Sequence, residues 1–150
     1  MLTSLAIAFS QMKNGFSPST KSLKSPGAFS SRFCRKVFRS GLTGLDIAAR
    51  YLPMSAVAGD FYDFLFIDEK RIGILIADVT GHGIPAALIA SMLKVAFAAQ
   101  AHHANDPACV LAGLNRALCG KFEEHFVTAA YLFIDLENYL LRYSAAGHHR

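Results

Sequence analysis

The chain has 150 residues, 53% of them hydrophobic, which is enough for one domain with a substantial core. Its formal charge of +4 does not indicate a nucleic-acid or membrane surface, because the seven basic residues before Asp46 have no acidic counterpart and the rest of the chain is acidic. Cys34, Cys109 and Cys119 lack the spacing of a zinc site or a disulfide framework. No apolar stretch reaches the length of about 20 residues that crosses a bilayer. We therefore expect a cytoplasmic protein that binds neither nucleic acid nor membrane.

Residues 1–43 form a basic, Ser-rich segment in which Pro18, Pro26 and Gly27 interrupt any periodic pattern. This composition predicts disorder, because it cannot bury enough apolar surface to fold. Such a segment fits either an organelle transit peptide or, alternatively, a linker or a poorly defined start of the reading frame. The composition favours a linker or a poorly defined start over a transit peptide. We therefore place the domain at residues 44–150.

The domain begins with a predicted strand from Leu45 and continues as a hairpin with arms at 59–67 and 71–79. Two helices follow, one from Pro85 to about Ala101 and one that starts at Asp106-Pro107 and ends near Gly120. Two further strands, at 126–134 and 139–145, are joined by a turn at 135–138. Antiparallel strands with a helical pair between them predict an α+β fold.

A hairpin with the three-residue turn Asp68-Glu69-Lys70 places Asp60 opposite Asp78. Opposed carboxylates destabilise a sheet, so the pair would share a proton, find a basic partner or hold a divalent cation such as Mg²⁺ or Mn²⁺. A two-residue turn would shift this pairing by one residue. In the plain alternative, Asp60 caps a turn and Asp78 binds the backbone of Thr80 or Gly81.

Four segments resemble, in order, the motifs of metal-dependent protein serine/threonine phosphatases of the SpoIIE/RsbU type. They are Ala58-Gly59-Asp60-Phe61-Tyr62-Asp63, Ile76 to Ala87 with the core Asp78-Val79-Thr80-Gly81-His82-Gly83, Phe126-Val127-Thr128-Ala129-Ala130-Tyr131, and Ala145-Ala146-Gly147-His148. The resemblance implies a PPM-type α-β-β-α sandwich with a binuclear Mn²⁺ or Mg²⁺ centre. Carried over to this chain, it implies that Asp60 and Asp78 are metal ligands and catalytic residues, with the backbone carbonyl of Val79 as a further ligand.

The resemblance also implies hydrolysis of phosphoserine or phosphothreonine on a regulatory protein, such as an anti-sigma-factor antagonist, by water activated at the metals. Gly81, His82 and Gly83 would serve the loop geometry or bind phosphate. The family continues into strands with a Thr-Asp-Gly-like motif and a later acidic ligand, neither of which occurs here. We therefore expect a truncated, poorly active chain with an incomplete second metal site.

The alternative hypothesis is a non-catalytic interaction module, in which the helix that begins near Pro85 binds a partner or a second copy to form a homodimer. Several polar residues have plain explanations. Asp63 points to the opposite face of the strand from Asp60 and is solvated, His102 and His103 add favourable charge after a helix, and Thr128 is a satisfied strand hydroxyl.

Overall fold

The computed structural model describes residues 6–10, 42, 45–50, 59–122 and 124–148. The chain divides into two compact units, Met1–Leu52 and Pro53–Arg150. In the first unit, β1 (Ala6–Ser10) and β2 (Asp46–Arg50) form an antiparallel pair. Five residues of the segment for which we predicted disorder therefore form a strand. Most of that segment lies outside the described residues, and the domain boundary at residue 43 stays a prediction.

The second unit contains a four-stranded antiparallel sheet in the order β3-β4-β5-β6. The strands are β3 (Phe61–Phe66), β4 (Arg71–Val79), β5 (Val127–Asp135) and β6 (Leu140–Ala146). The central strand β4 is an almost continuous apolar run, as expected for a strand covered on both faces.

Asp side chains shape both hairpin turns of the sheet. The carboxylate of Asp68 accepts hydrogen bonds from the backbone N–H groups of Lys70 and Arg71, each at 2.9 Å, which closes the three-residue turn between β3 and β4. Asp135 accepts in the same way from Glu137 and Asn138, at 2.9 and 3.0 Å, between β5 and β6. Both predicted turns are confirmed.

Two helices, α1 (Ile84–Ala98) and α2 (Pro107–Leu118), connect β4 to β5. Helix α1 ends three residues earlier than predicted, and a 3₁₀ turn at Ala101–His103 follows it. Helix α2 starts where the sequence predicts, because the Asp106 side chain accepts hydrogen bonds from the backbone N–H groups of Ala108 and Cys109. No helix in the described ranges is long and apolar enough to span a membrane.

Both helices pack on one face of the sheet and form the core of the second unit, which includes Leu75, Val79, Leu93, Phe97, Val110 and Tyr131. Tyr131 is fully buried, and its hydroxyl donates a hydrogen bond of 2.8 Å to the backbone carbonyl of Ala104. The ring lies over Gly73, where a Cβ atom would collide with the phenol oxygen. A sheet with helices packed on it confirms the predicted α+β class.

Candidate functional site

The register of the β3–β4 hairpin places Asp60 opposite Asp78. Phe61 pairs with Ala77, and the ladder continues beyond this pair because the Val79 N–H donates a hydrogen bond of 3.3 Å to the Gly59 carbonyl. Asp60 and Asp78 lie between these two pairings, and opposed residues share one face of a sheet. The predicted pairing of the two carboxylates is confirmed.

The two carboxyl groups interact, and the effect is visible in the pKa of Asp78. This pKa is raised, first because protein atoms remove part of the surrounding water and then because of the negative charge of Asp60 and a hydrogen bond between the carboxyl groups. Asp78 nevertheless stays exposed at the surface. In the described residues, neither carboxylate pairs with Lys or Arg, and Asp78 makes no hydrogen bond to Thr80 or Gly81.

Val79 contributes only backbone to this end of the sheet, because its side chain is buried in the core. Its carbonyl oxygen lies so close to Gly59 that a Cβ atom at residue 59 would be 2.6 Å away from it. The same Cβ atom would be 3.3 Å from the Cβ of Ala86 in α1. Glycine is therefore required here for close packing of the hairpin against the helix.

The loop after Asp78 is fastened to the start of β5. Thr80 donates its N–H to the Phe126 carbonyl at 3.0 Å, and the Thr80 hydroxyl accepts from the Phe126 N–H at 2.9 Å. The ring Nδ1 of His125 lies 2.7 Å from the Thr80 carbonyl oxygen. The sequence does not predict the roles of Thr80 and His125, because no local pattern connects residues 45 positions apart.

The three loop residues singled out in the sequence follow this anchor. Gly81 and Gly83 both have positive φ angles, of 94° and 76°, so both are in a conformation that favours glycine. A Cβ atom at Gly81 would also lie 2.9 Å from the Cε1 of His125. His82 is exposed between them, and Gly83 is the N-cap of α1. These backbone angles are consistent with a role in loop geometry.

Thr128 and His148 extend the polar row from the carboxylates. Thr128 pairs with Asp78 across β4 and β5, and its hydroxyl oxygen lies 3.0 Å from the Nδ1 of His148. Gly147, with a φ angle of 68°, turns the chain immediately after β6. From the sequence, Thr128 is expected to be an ordinary strand hydroxyl, and His148 has no predicted role. Their contact depends on the pairing of β5 with β6.

Other polar residues lie elsewhere. Asp63 is on the opposite face from Asp60, as predicted, but it forms an ion pair of 2.7 Å with Lys94 of α1 instead of facing only solvent. His102 and His103 belong to the 3₁₀ turn after α1. A largely apolar cavity of about 240 Å³ lies on the helix side of the sheet, lined by residues that include Leu111, Leu118 and Phe122, and it does not contain the carboxylate pair.

The donor set at Asp60 and Asp78 fits one hard divalent cation. Mg²⁺ is commonly bound through one or two protein carboxylates, with water molecules completing its coordination. No group of three or more His, Cys, Asp or Glu side chains that could hold a metal ion occurs in the part of the chain that the structure describes. The described residues therefore offer side-chain ligands for a single ion at this position.

Residues 68–150 match the profile of the Stage II sporulation protein E (SpoIIE) family. Phosphoserine phosphatase RsbP of Bacillus subtilis is 37% identical over 125 residues, which are 76% of this chain and 31% of RsbP. Phosphoserine phosphatase RsbU of the same organism is 38% identical over 105 residues, which are 69% of this chain and 31% of RsbU. The chain thus spans 31% of the length of each of these curated relatives.

Solved structures share the fold. The SiaA-PP2C domain of Pseudomonas aeruginosa superposes with a TM-score of 0.57 at 25% identity, over 63% of this chain and 39% of that one. The RsbU and RsbW domains of Rv1364c from Mycobacterium tuberculosis superpose with a TM-score of 0.54 at 25% identity, over 65% of this chain and 27% of that one. The resemblance drawn from the motifs is confirmed: this chain belongs to the SpoIIE family of phosphatases.

Proposed function

We propose that this chain carries the metal-binding end of a protein serine/threonine phosphatase that hydrolyses phosphoserine or phosphothreonine on a regulatory protein of the anti-sigma-factor antagonist type. Two relatives named as phosphoserine phosphatases support the reaction. A solved relative that contains an RsbU domain together with an RsbW domain supports a regulatory protein as the substrate.

The observation that carries the proposal is the pairing of Asp60 with Asp78. Two adjacent carboxylates repel each other, and the raised pKa of Asp78 reflects partial loss of water and that repulsion. A divalent cation, Mn²⁺ or Mg²⁺, would remove the repulsion and use both groups as ligands. The Val79 carbonyl is the third ligand that we propose.

When bound, such a cation polarises phosphate oxygens and lowers the pKa of a coordinated water. The chain's own residues position the participants. Asp60 and Asp78 would hold the cation at the end of the hairpin, and the hydrogen bonds of Thr80 keep the next loop beside them. His82 is exposed on that loop, where it can contact a phosphate or a water molecule. Since the described carboxylates suit one ion, we expect weak turnover from this chain.

The first test is metal binding. We expect Mn²⁺ to raise the thermal unfolding temperature of the chain, and we expect both Asp60→Asn and Asp78→Asn to abolish the increase, because each removes one of the two charged ligands. Asp63→Asn is the matched control, since Asp63 lies three residues from Asp60 but on the opposite face, bound to Lys94. Its response to Mn²⁺ should equal that of the wild type.

The second test is phosphate release from a phosphoserine peptide with Mn²⁺. Slow release that disappears in Asp78→Asn but persists in Asp63→Asn would support the proposed site. Mn²⁺-dependent stabilisation that survives in Asp60→Asn and Asp78→Asn would place the cation elsewhere and contradict the proposal.

A second candidate function, self-association through α1, is favoured by a stripe of exposed apolar side chains. Ile84, Leu88, Met92 and Val95 are 70%, 62%, 42% and 73% exposed, and they occupy one side of the helix. This pattern supports a homodimer formed through that side. Light scattering should then show a dimer that Leu88→Glu converts to a monomer, whereas Ala112→Glu on the exposed side of α2 should leave it intact.

A further inference from the structure

The row of polar residues at the end of the sheet continues beyond the two carboxylates. Asp60, immediately before β3, lies opposite Asp78 of β4, which in turn pairs with Thr128 of β5. His148 is the second residue after β6. The Nδ1 of His148 lies 3.0 Å from the hydroxyl oxygen of Thr128. Thr128 lies directly opposite Asp78, and opposed side chains share one face of a sheet. The imidazole therefore lies beside the carboxylate pair.

The hydrogen bond to Thr128 orients the ring. A histidine has two ring nitrogens, and a partner on one of them fixes which way the other faces. When the Thr128 hydroxyl donates its hydrogen bond to Nδ1, the ring proton is on Nε2. Thr128 occupies Nδ1, and no described residue forms a hydrogen bond with Nε2. The positive φ angle of Gly147 turns the chain where it leaves β6. These features leave Nε2 available to a ligand.

The ligand class follows from the chemistry of the neighbours. His148 does not combine with Asp60 and Asp78 into a three-residue metal-binding group within the described ranges. A ring N–H beside a site that binds a phosphorylated side chain has the geometry and polarity to donate a hydrogen bond to a phosphoryl oxygen, and hydrogen bonds to such charged acceptors are among the stronger ones in proteins.

We infer that His148, oriented by Thr128, is a substrate-binding residue that donates a hydrogen bond from Nε2 to a phosphoryl oxygen of the phosphoserine or phosphothreonine side chain. This inference rests on the proposed function, because it places His148 at the same site as Asp60 and Asp78. Thr128 is a positioning residue, since it acts through the imidazole ring.

The test measures phosphate binding directly, so it does not depend on turnover. Inorganic phosphate and O-phosphoserine are titrated into the full chain, with Mg²⁺ and separately with EDTA, and the histidine ring resonances are followed by NMR. We expect His148→Asn to weaken phosphate binding about tenfold, because asparagine can replace Nδ1 but has no group at the position of Nε2; a tenfold change corresponds to about 1.4 kcal/mol.

Two further variants separate binding from a structural role. His148→Gln places an amide near the position of Nε2 and should restore part of the affinity. Thr128→Ser should keep wild-type affinity, whereas Thr128→Val, which cannot hydrogen-bond to Nδ1, should weaken phosphate binding about threefold. His102→Gln, in the distant 3₁₀ turn, is the control and should change nothing.

Mg²⁺ affinity, measured on the same samples, distinguishes this inference from the proposed function. If Asp60→Asn abolishes Mg²⁺ binding while His148→Asn binds phosphate as well as the wild type does, the inference is wrong and the metal site stands. If Asp60→Asn leaves Mg²⁺ binding unchanged, the proposed metal site is wrong. The role of His148 is then decided by the titrations in EDTA, which compare phosphate binding by His148→Asn with that of the wild type. A wild-type chain that binds no phosphate in either buffer also overturns the inference.

Discussion

Replacing Asp60 by asparagine should stabilise the metal-free chain. Asp60 and Asp78 carry like charges at directly opposed positions of an antiparallel pair, and no Lys or Arg within the described residues neutralises either one. Asparagine keeps the size and polarity of the side chain but removes one charge. The variant should therefore lose the repulsion without losing packing, while it also loses the ability to bind a cation.

The expected magnitude follows from Coulomb's law. Opposed side chains in such a pair have Cβ atoms about 5 Å apart. Asp78 is exposed and Asp60 is half-buried, so the effective dielectric constant is close to that of water. Two unit charges at that distance then repel by about 1 kcal/mol. For a chain of this length, such a change shifts the unfolding temperature by roughly 4 °C.

A double-mutant cycle isolates this repulsion. Thermal unfolding in EDTA at low salt is measured for the wild type, Asp60→Asn, Asp78→Asn and the double variant. Each single variant should be more stable than the wild type, and the second substitution should add little to the first, because either one removes the whole interaction. At high salt the gain should shrink. A loss of stability in both single variants, or full additivity in the double variant, would refute the reasoning.

Three other changes test separate features. The pKa of Asp78 is raised above its ordinary value of 3.8, chiefly by desolvation, so the folded chain holds this proton more tightly than the unfolded chain does. The stability that Asp78 contributes relative to Asp78→Asn should therefore be complete below pH 3.8 and be lost as the pH rises through the folded-state pKa. Urea unfolding in EDTA over a range of pH values measures this change. Gly73→Ala should lower the free energy of unfolding by roughly 2–3 kcal/mol, because the added Cβ displaces the buried Tyr131 ring. Gly113→Ala displaces only the end of a flexible glutamine side chain, so it should be neutral or stabilising. Chemical denaturation measures both variants. Asp106→Ala should lower the unfolding temperature by removing the N-cap of α2, while Asp106→Asn, which can still cap, should not; equal losses in both would contradict the capping role.

The parts of the fold that depend on neighbouring residues could be predicted from the sequence. The turn between β3 and β4 depends on Asp68 bonding to backbone groups two and three residues later, and this turn sets the register that opposes Asp60 to Asp78. The start of α2 depends on Asp106 and the proline after it. The apolar run of β4 likewise reports a strand buried on both faces. Periodicity and turn chemistry act over a few residues, so they can be read without a structure.

The contacts that complete the site join residues far apart in the chain, and they appear only once the sheet and helices have assembled. His125 meets Thr80 across 45 positions, and Thr128 meets His148 across 20. On the opposite face of the sheet, away from the site, Lys94 likewise meets Asp63 across 31 positions. Each contact depends on which strands pair and on how a helix lies against them. Such long-range pairings result from loop closure and from burial of the common core, and no short stretch of residues encodes them.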